Sequence, residues 1–150
     1  MVILFELRLT YLRNSSSYYL SGVFILPVLG FNHYNLRCDR DIMEQLKAFY
    51  RDVVGLEVGH RPQLTSFGYW LYAGQKDVLH LSEAKPEENR QANVANTFDH
   101  VAFTATDYDG TLARLERLGV KYRLREISDA GQRQIFFSDP AGNGIELNFA

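Results

Sequence analysis

Read for polarity, the chain from residue 30 onward runs twice through one pattern. A short alternating run comes first, then an apolar stripe at helical spacing, then three more alternating runs. The first pass opens on Phe31-Asn32-His33-Tyr34-Asn35-Leu36 and the second on Phe98-Asp99-His100-Val101-Ala102-Phe103. Ile42, Leu46, Phe49, Tyr50 and Val53 fall at i, i+4, i+7, i+8 and i+11, which lines up one face of a helix. Asp41 at its start is suited to cap free backbone amides, and Gly55 to end it. Tyr108, Leu112, Leu115 and Leu118 mark the second helix, closed by Gly119. Strands are expected at residues 56–60, 67–73 and 77–82 of the first pass, and at 121–126, 133–138 and 145–149 of the second. Turn-forming residues at 73–76 and 139–144 join the last two strands of each pass.

Self-similarity of this kind predicts architecture. The expectation is an α+β fold of two tandem βαβββ modules, residues 30–84 and 98–150, joined by a polar linker at 85–97 into one domain. The pairs Val78-Leu79-His80-Leu81 and Gly144-Ile145-Glu146-Leu147 match at nearly the offset that separates His33 from His100. Strand side chains alternate, so Tyr34 and Leu36 share one face while His33 and Asn35 share the other. Val101 and Phe103 likewise oppose His100, Leu79 and Leu81 oppose His80, and Ile145, Leu147 and Phe149 oppose Glu146 and Asn148. With a helix covering each apolar face, His33, His80, His100 and Glu146 are expected to line a cup between two curved mixed sheets.

Composition narrows the function classes. The 46% hydrophobic and 23% charged content is that of a soluble globular domain. A formal charge of −2 lacks the basic excess of a nucleic-acid binder. Cys38, the single cysteine, forms no internal disulfide, which points to a reducing, cytoplasmic setting and a packed residue without nucleophilic duty. Residues 1–29 contain an alternating run at 3–11 and an apolar stretch at 18–31 that is too short to span a bilayer and a poor signal peptide. They read either as an extra strand or arm at a subunit contact or as a start-site artefact.

Imidazole and carboxylate together suit a divalent first-row metal: iron, zinc, manganese, nickel or cobalt. Two histidines and a carboxylate leave open positions for substrate or oxygen. His80 either completes the ligand shell or stands back as a base. A lone strand histidine is ordinarily packed or surface-exposed, and His60 is read so; the repeat-matched positions of the other three favour a metal site. Trp70, Tyr72 and Phe136 are read as walls of the pocket, with Asn35 and Asn148 on its ligand face. Arg61 and Arg133 are weighed as anion contacts against the commoner role of surface arginines.

These motifs, with residues 48–56 (Ala-Phe-Tyr-Arg-Asp-Val-Val-Gly-Leu) and 139–147 (Asp-Pro-Ala-Gly-Asn-Gly-Ile-Glu-Leu), resemble the vicinal oxygen chelate superfamily. That group includes glyoxalase I, extradiol dioxygenases, methylmalonyl-CoA epimerase, fosfomycin-resistance enzymes and bleomycin-resistance proteins. The resemblance implies that His33, His100 and Glu146 hold one divalent metal, with His80 at a position that varies among members. Glyoxalase I has an acid there, extradiol dioxygenases normally carry four modules, and bleomycin-resistance proteins lack metal ligands of their own. It therefore implies a metal-dependent lyase or isomerase acting on a small oxygen-rich substrate bound through two neighbouring oxygens, with Glu146 and His80 catalytic. The alternatives are a small iron(II) ring-cleaving dioxygenase and a drug-binding protein. A homodimer is implied, and neither nucleic acid nor membrane is an expected partner.

Overall fold

Two four-stranded mixed sheets repeat the same strand arrangement, one per module, in a computed structural model that describes residues 28–128 and 131–150. The expectation for residues 1–29 falls almost wholly outside them, and the folded unit considered below is Asn32–Ala150. The first module comprises β1 (Tyr34–Cys38), α1 (Arg40–Phe49), β2 (Glu57–Val58), β3 (Gly68–Ala73) and β4 (Lys76–Glu83). The second comprises β5 (His100–Thr104), α2 (Tyr108–Arg117), β6 (Tyr122–Ile127), β7 (Gln132–Ser138) and β8 (Gly144–Phe149). The sheet orders are β1-β4-β3-β2 and β5-β8-β7-β6, with β1/β4 and β5/β8 parallel and the remaining pairs antiparallel. The α+β fold of two tandem βαβββ modules is therefore the one the repeat predicts.

Local chemistry sets the element ends. Asp39, not Asp41, caps α1: its carboxylate accepts from the Ile42 amide at 2.9 Å, while Asp41 lies within the first turn. The helix then widens into a π-type turn, Tyr50–Val54, in which both Gly55 and Leu56 amides donate to the Tyr50 carbonyl. Gly55 closes it at φ +90°, a conformation that costs an ordinary residue a steric penalty and glycine none. β2 is shorter than residues 56–60 suggest, because only Glu57 and Val58 pair with β3. His33 immediately precedes β1, since pairing with β4 starts at Tyr34. The linker holds a 3-10 turn at Pro86–Glu88, where Glu88 ion-pairs with Arg37.

The apolar faces of both sheets enter one core. Leu79 and Leu81 of β4, Ile135 and Phe137 of β7, and Ile145, Leu147 and Phe149 of β8 join Met43, Leu46 and Tyr50 of the first helical segment and Leu115 of α2. Burying each such aliphatic side chain contributes about 1.5–3 kcal/mol. The modules touch directly through Tyr34 on Phe103, with ring centroids 6.2 Å apart, and Phe49 on Phe137 at 6.1 Å. Cys38 is buried, and desolvation pushes its thiol up to about 11, with Asp39 and Asp139 adding to the shift. A thiol so placed is a poor nucleophile. No helix among the described residues is long and apolar enough to cross a membrane.

A buried polar link crosses the core. The Tyr50 hydroxyl donates to Asp139 Oδ2 at 3.0 Å, while Asp139 also accepts from the Ala141 and Asn143 amides and from Asn143 Nδ2. Burial raises the Tyr50 and Tyr34 phenols well above their ordinary range, so both stay neutral and Tyr50 keeps the proton it donates to Asp139. Tyr50→Phe is expected to cost about 1.5–3 kcal/mol, the worth of one hydrogen bond to a charged acceptor. Urea and thermal denaturation would show this as a lower midpoint with unchanged m-value; an unchanged midpoint would show that the link contributes nothing.

Candidate metal centre

The face of the first sheet that turns away from the core carries His80, cross-strand from Asn35 on β1 and Trp70 on β3. His33 joins them: its ring stacks on His80 with centroids 3.6 Å apart, and Trp70 stacks on His80 at 4.0 Å, 3° from parallel. His80 is only 8% exposed. Its Nε2 lies 2.8 Å from Asp77 Oδ2, and a carboxylate can only accept, so Nε2 carries the proton in this contact.

Asp77 was not among the expected site residues. Alternation along β4 assigns it to the core face with Leu79 and Leu81. The register between β3 and β4 shifts at Leu71/Tyr72, so that Leu71 faces Leu79 but Tyr72 faces Asp77. This bulge inserts one extra residue, Val78, and turns Asp77 onto the face of His80. His33, Asp77 and His80 consequently offer donor atoms that all lie within 4.8 Å of one another.

On the second sheet, His100 Nε2 lies 3.1 Å from Glu146 Oε2. Glu146 is 6% exposed, and its other oxygen accepts from Gln134 Nε2 at 2.6 Å and Asn148 Nδ2 at 3.3 Å. Register explains the company: Gln134 faces Asn148 across β7/β8, and Phe136 faces Glu146. A nearly buried carboxylate needs positive charge to offset its desolvation. Gln134 orients it through neutral donors, and the Gln134 Oε1 atom is itself buried without a partner. Gly144 allows this closeness, because a Cβ there would stand 2.2 Å from the Asp99 carbonyl oxygen beside the His100 backbone.

The two first-strand histidines are held alike at Nδ1. His33 Nδ1 meets Asn32 Oδ1 at 2.6 Å, and His100 Nδ1 meets Asp99 Oδ2 at 2.6 Å. Both partners are acceptors, so each Nδ1 holds a proton; His33 Nε2 then presents its lone pair, the form a metal requires, whereas His100 Nε2 faces the Glu146 carboxylate. Burial and the neighbouring His80 lower the His33 pKa, against a smaller pull from Asp77. The hydrogen bond from His80 holds Asp77 below its ordinary range. At neutral pH this set is therefore in metal-binding form: uncharged His33 and ionised Asp77. The residue types, the His33 tautomer and the buried carboxylate fit a divalent ion.

The expected quartet is not one cluster in a single chain. Among the described residues the donors gather as His33/Asp77/His80 on the first sheet and His100/Glu146 on the second, and the first group does not extend to the second within 4.8 Å. Both sheets put their apolar faces into the common core, which turns each donor set away from it. The pocket residues distribute accordingly. Asn35 accepts from Ser82 Oγ at 2.9 Å, Trp70 backs His80, and Tyr72 turns its hydroxyl to the His60 carbonyl at 2.8 Å. Phe136 meets the His100 ring edge-on at 5.7 Å, and Asn148 supports Glu146. Arg133 instead packs over Tyr108 at 3.9 Å, and Arg61 donates to the Ser66 carbonyl at 2.7 Å, so neither reaches the donors. Of the residues missed, Asn32 and Asp99 were legible in the repeat, since each immediately precedes its histidine.

Asp77→Asn keeps the side chain's size and removes its charge. It is expected to weaken metal binding about 10–100-fold, the usual effect of losing a carboxylate that orients or joins a ligand set. Competition with a chromophoric chelator would measure this; an affinity within twofold of wild type would exclude Asp77 from the site.

Comparison with known proteins places this geometry in context. The Escherichia coli protein YaeR is 31% identical over 106 residues, covering 67% of this chain and 82% of YaeR. The lactoylglutathione lyase of Agrobacterium tumefaciens superposes with a TM-score of 0.57 at 25% identity, covering 83% of this chain and 96% of that one. The fosfomycin resistance protein FosX of Listeria monocytogenes, in complex with Mn(II) and sulfate, shares the fold with a TM-score of 0.59 at 18% identity, covering 82% and 93%. The family model described as Glyoxalase/Bleomycin resistance protein/Dioxygenase superfamily matches residues 30–147, nearly the whole span of the two modules and their donor residues. The chain belongs to the glyoxalase/bleomycin resistance protein/dioxygenase superfamily.

Proposed function

We propose that this protein is a divalent-metal-dependent lyase or isomerase acting on a small oxygen-rich substrate, with its metal held by His33, His80, His100 and Glu146 drawn from two copies of the chain. The observation that carries the reading is the paired donor sets, each combining imidazole with carboxylate and each short of a full shell. Four to six ligands are usual for the metals in question. Among the described residues β1 and β5 end their sheets, and each carries or adjoins a first-strand histidine. Bringing β1 of one copy beside β5 of another completes a cup that neither chain closes alone. The presence of Mn(II) in FosX, on the same fold, is in keeping with an ion there.

Such an ion supplies a Lewis acid and a template for two neighbouring substrate oxygens. The chain's residues supply the rest. Glu146 has Oε1 fixed by Gln134 and Asn148, so the oxygen that accepts or returns a proton is Oε2, set 3.1 Å from His100 Nε2. His80 is held flat between Trp70 and His33, and its Nε2 proton passes to Asp77, whose side chain is 31% exposed and can exchange with solvent. Trp70 and Phe136 wall the two donor sets and limit water around a bound substrate.

Elemental analysis of wild type and Glu146→Ala, purified side by side, is expected to give about one equivalent of metal per chain in the former and much less in the latter. No metal in either after reloading would overturn the reading and leave a binding protein. A chain carrying His33→Ala and His80→Ala should hold no metal, nor should one carrying His100→Ala and Glu146→Ala. Their mixed dimer should regain one site, and failure to regain it would place the site within one chain. Iron with catechol-dependent oxygen uptake would move the assignment to ring-cleaving oxygenation.

A further inference from the structure

On the outward face of the first sheet a chain of hydrogen bonds runs from the linker to the donors. Asn35 and Arg37 alternate with Leu36 and Cys38, which join the core, and in register they face His80 and Ser82 of β4. Glu88, in the 3-10 turn of the linker, grips Arg37 at two points. Arg37 Nε donates to Glu88 Oε2 at 2.7 Å, and Arg37 Nη2 donates to Oε1. The Lys85 amide also donates to Oε1, at 3.1 Å. These bonds, that from Arg37 foremost, hold the Glu88 carboxyl down at about 2, so it stays ionised at neutral pH. Arg37 Nη1 then donates to Ser82 Oγ at 3.4 Å, and Ser82 Oγ donates to Asn35 Oδ1 at 2.9 Å.

The direction of this chain follows from what each group is able to do. A guanidinium only donates, so Ser82 accepts from Arg37 and has its own hydroxyl hydrogen to give. The Asn35 carbonyl oxygen takes that hydrogen. A reversed Asn35 amide would bring Ser82 a second donor and leave the hydroxyl hydrogen without an acceptor. Gly68, on the other side of Ser82, has no side chain to compete for it. With Oδ1 committed, both Nδ2 hydrogens of Asn35 remain on the face of His80, its direct cross-strand partner, and among the described residues nothing accepts from them. The fold does not demand such a chain. By register, the second-sheet counterparts of Asn35, Arg37 and Ser82 are Ala102, Thr104 and Asn148, and Ala102 has no polar side chain to orient.

We infer that Glu88, Arg37 and Ser82 are positioning residues that set the Asn35 amide, so that its N–H donates to an acceptor oxygen of the substrate beside His80. The orientation belongs to the first module and needs no ion; only the substrate contact rests on the metal-enzyme reading. It selects a carbonyl or ether oxygen at that place over an N–H group, which has only a hydrogen to offer. It also ties the linker to the site, since a change at Glu88 alters what the substrate meets on β1.

The test follows the Asn35 side-chain amide by NMR in the 15N-labelled full chain, metal-free and zinc-loaded, with the signals identified by their loss in Asn35→Asp. In metal-free wild type the Nδ2 hydrogens are expected to show contacts with the His80 ring hydrogens and not with the Ser82 methylene. Arg37→Lys keeps a group that only donates and should preserve this pattern. Arg37→Gln, Ser82→Ala and Glu88→Ala should average it; a loss of stability alone would lower the thermal midpoint and leave the contacts as they are. In zinc-loaded wild type, acetohydroxamate, a two-oxygen chelator, should shift the Asn35 amide. Asn35→Leu should bind that probe about two- to tenfold more weakly, the worth of one neutral hydrogen bond, with zinc content unchanged. Wild-type contacts retained in Arg37→Gln, or an Asn35 amide that ignores bound acetohydroxamate, would each overturn the inference. An oriented Asn35 in a protein that takes up no zinc would sustain the positioning chain and remove the metal-enzyme reading, together with the substrate contact that rests on it. Zinc and acetohydroxamate bound, with Asn35 indifferent to Arg37 and to the probe, would do the reverse.

Discussion

Strand alternation against a shared core is the constraint on which the rest of this molecule depends. Each sheet is apolar on one face, and neither could stay folded with that face in water. Leu79, Leu81, Ile145, Leu147 and Phe149 are buried together with residues from both helices, so both apolar faces are satisfied within one interior. The side-chain period of two then leaves no choice for their neighbours. His80 and Glu146 must emerge on the other faces, and the burial that stabilises the fold is also what presents the donors. A one-residue slip in β4 or β8 would exchange leucines for ligands.

The electrostatics of the two donor sets differ in a way that makes them complementary. The first offers two imidazoles and Asp77, with His80 packed between rings. The second offers one imidazole and a carboxylate that is almost fully buried, oriented by two amides that carry no net charge. Amide donors can position Glu146 but neutralise none of its charge, so whatever offsets its burial stands on the Oε2 side, where His100 lies 3.1 Å away. The same sheet carries Arg123 and Arg125 on its outer strand, which keeps the face from being acidic overall and sorts charge along it: carboxylate at the middle strand, guanidinium at the edge. Phe136 separates the two and holds each at a fixed distance.

Several functional details exist because backbone geometry departs from regularity. The bulge at Leu71/Tyr72 moves Asp77 across the sheet, Gly144 lets β8 pass close to the start of β5, and a π-type turn closed by Gly55 ends the first helical segment. At the bulge a strictly periodic strand would have put Asp77 on the core face. Bulges commonly re-aim side chains next to sites in this way.

The amino-acid sequence by itself determined the two-module α+β architecture, the helix stripes, and the faces of His33, His80, His100 and Glu146, because all of these follow from local periodicity repeated twice. It also held the Asn32-His33 and Asp99-His100 pairs, whose tautomer-setting role follows from adjacency once the rings are placed. The tertiary structure decided what periodicity cannot express. Asp77 changed face through one inserted residue, and helix capping went to Asp39 in place of Asp41 because its carboxylate reached the Ile42 amide. Arg133 went to Tyr108 while Arg123 lies over Phe136, since opposite faces of adjacent strands are told apart only when register is known. The largest difference is that the four donors form two sets in place of one. Whether two curved sheets turn their polar faces toward each other or away from a common core depends on how whole apolar surfaces pack, a property of the assembled layers that no local pattern carries.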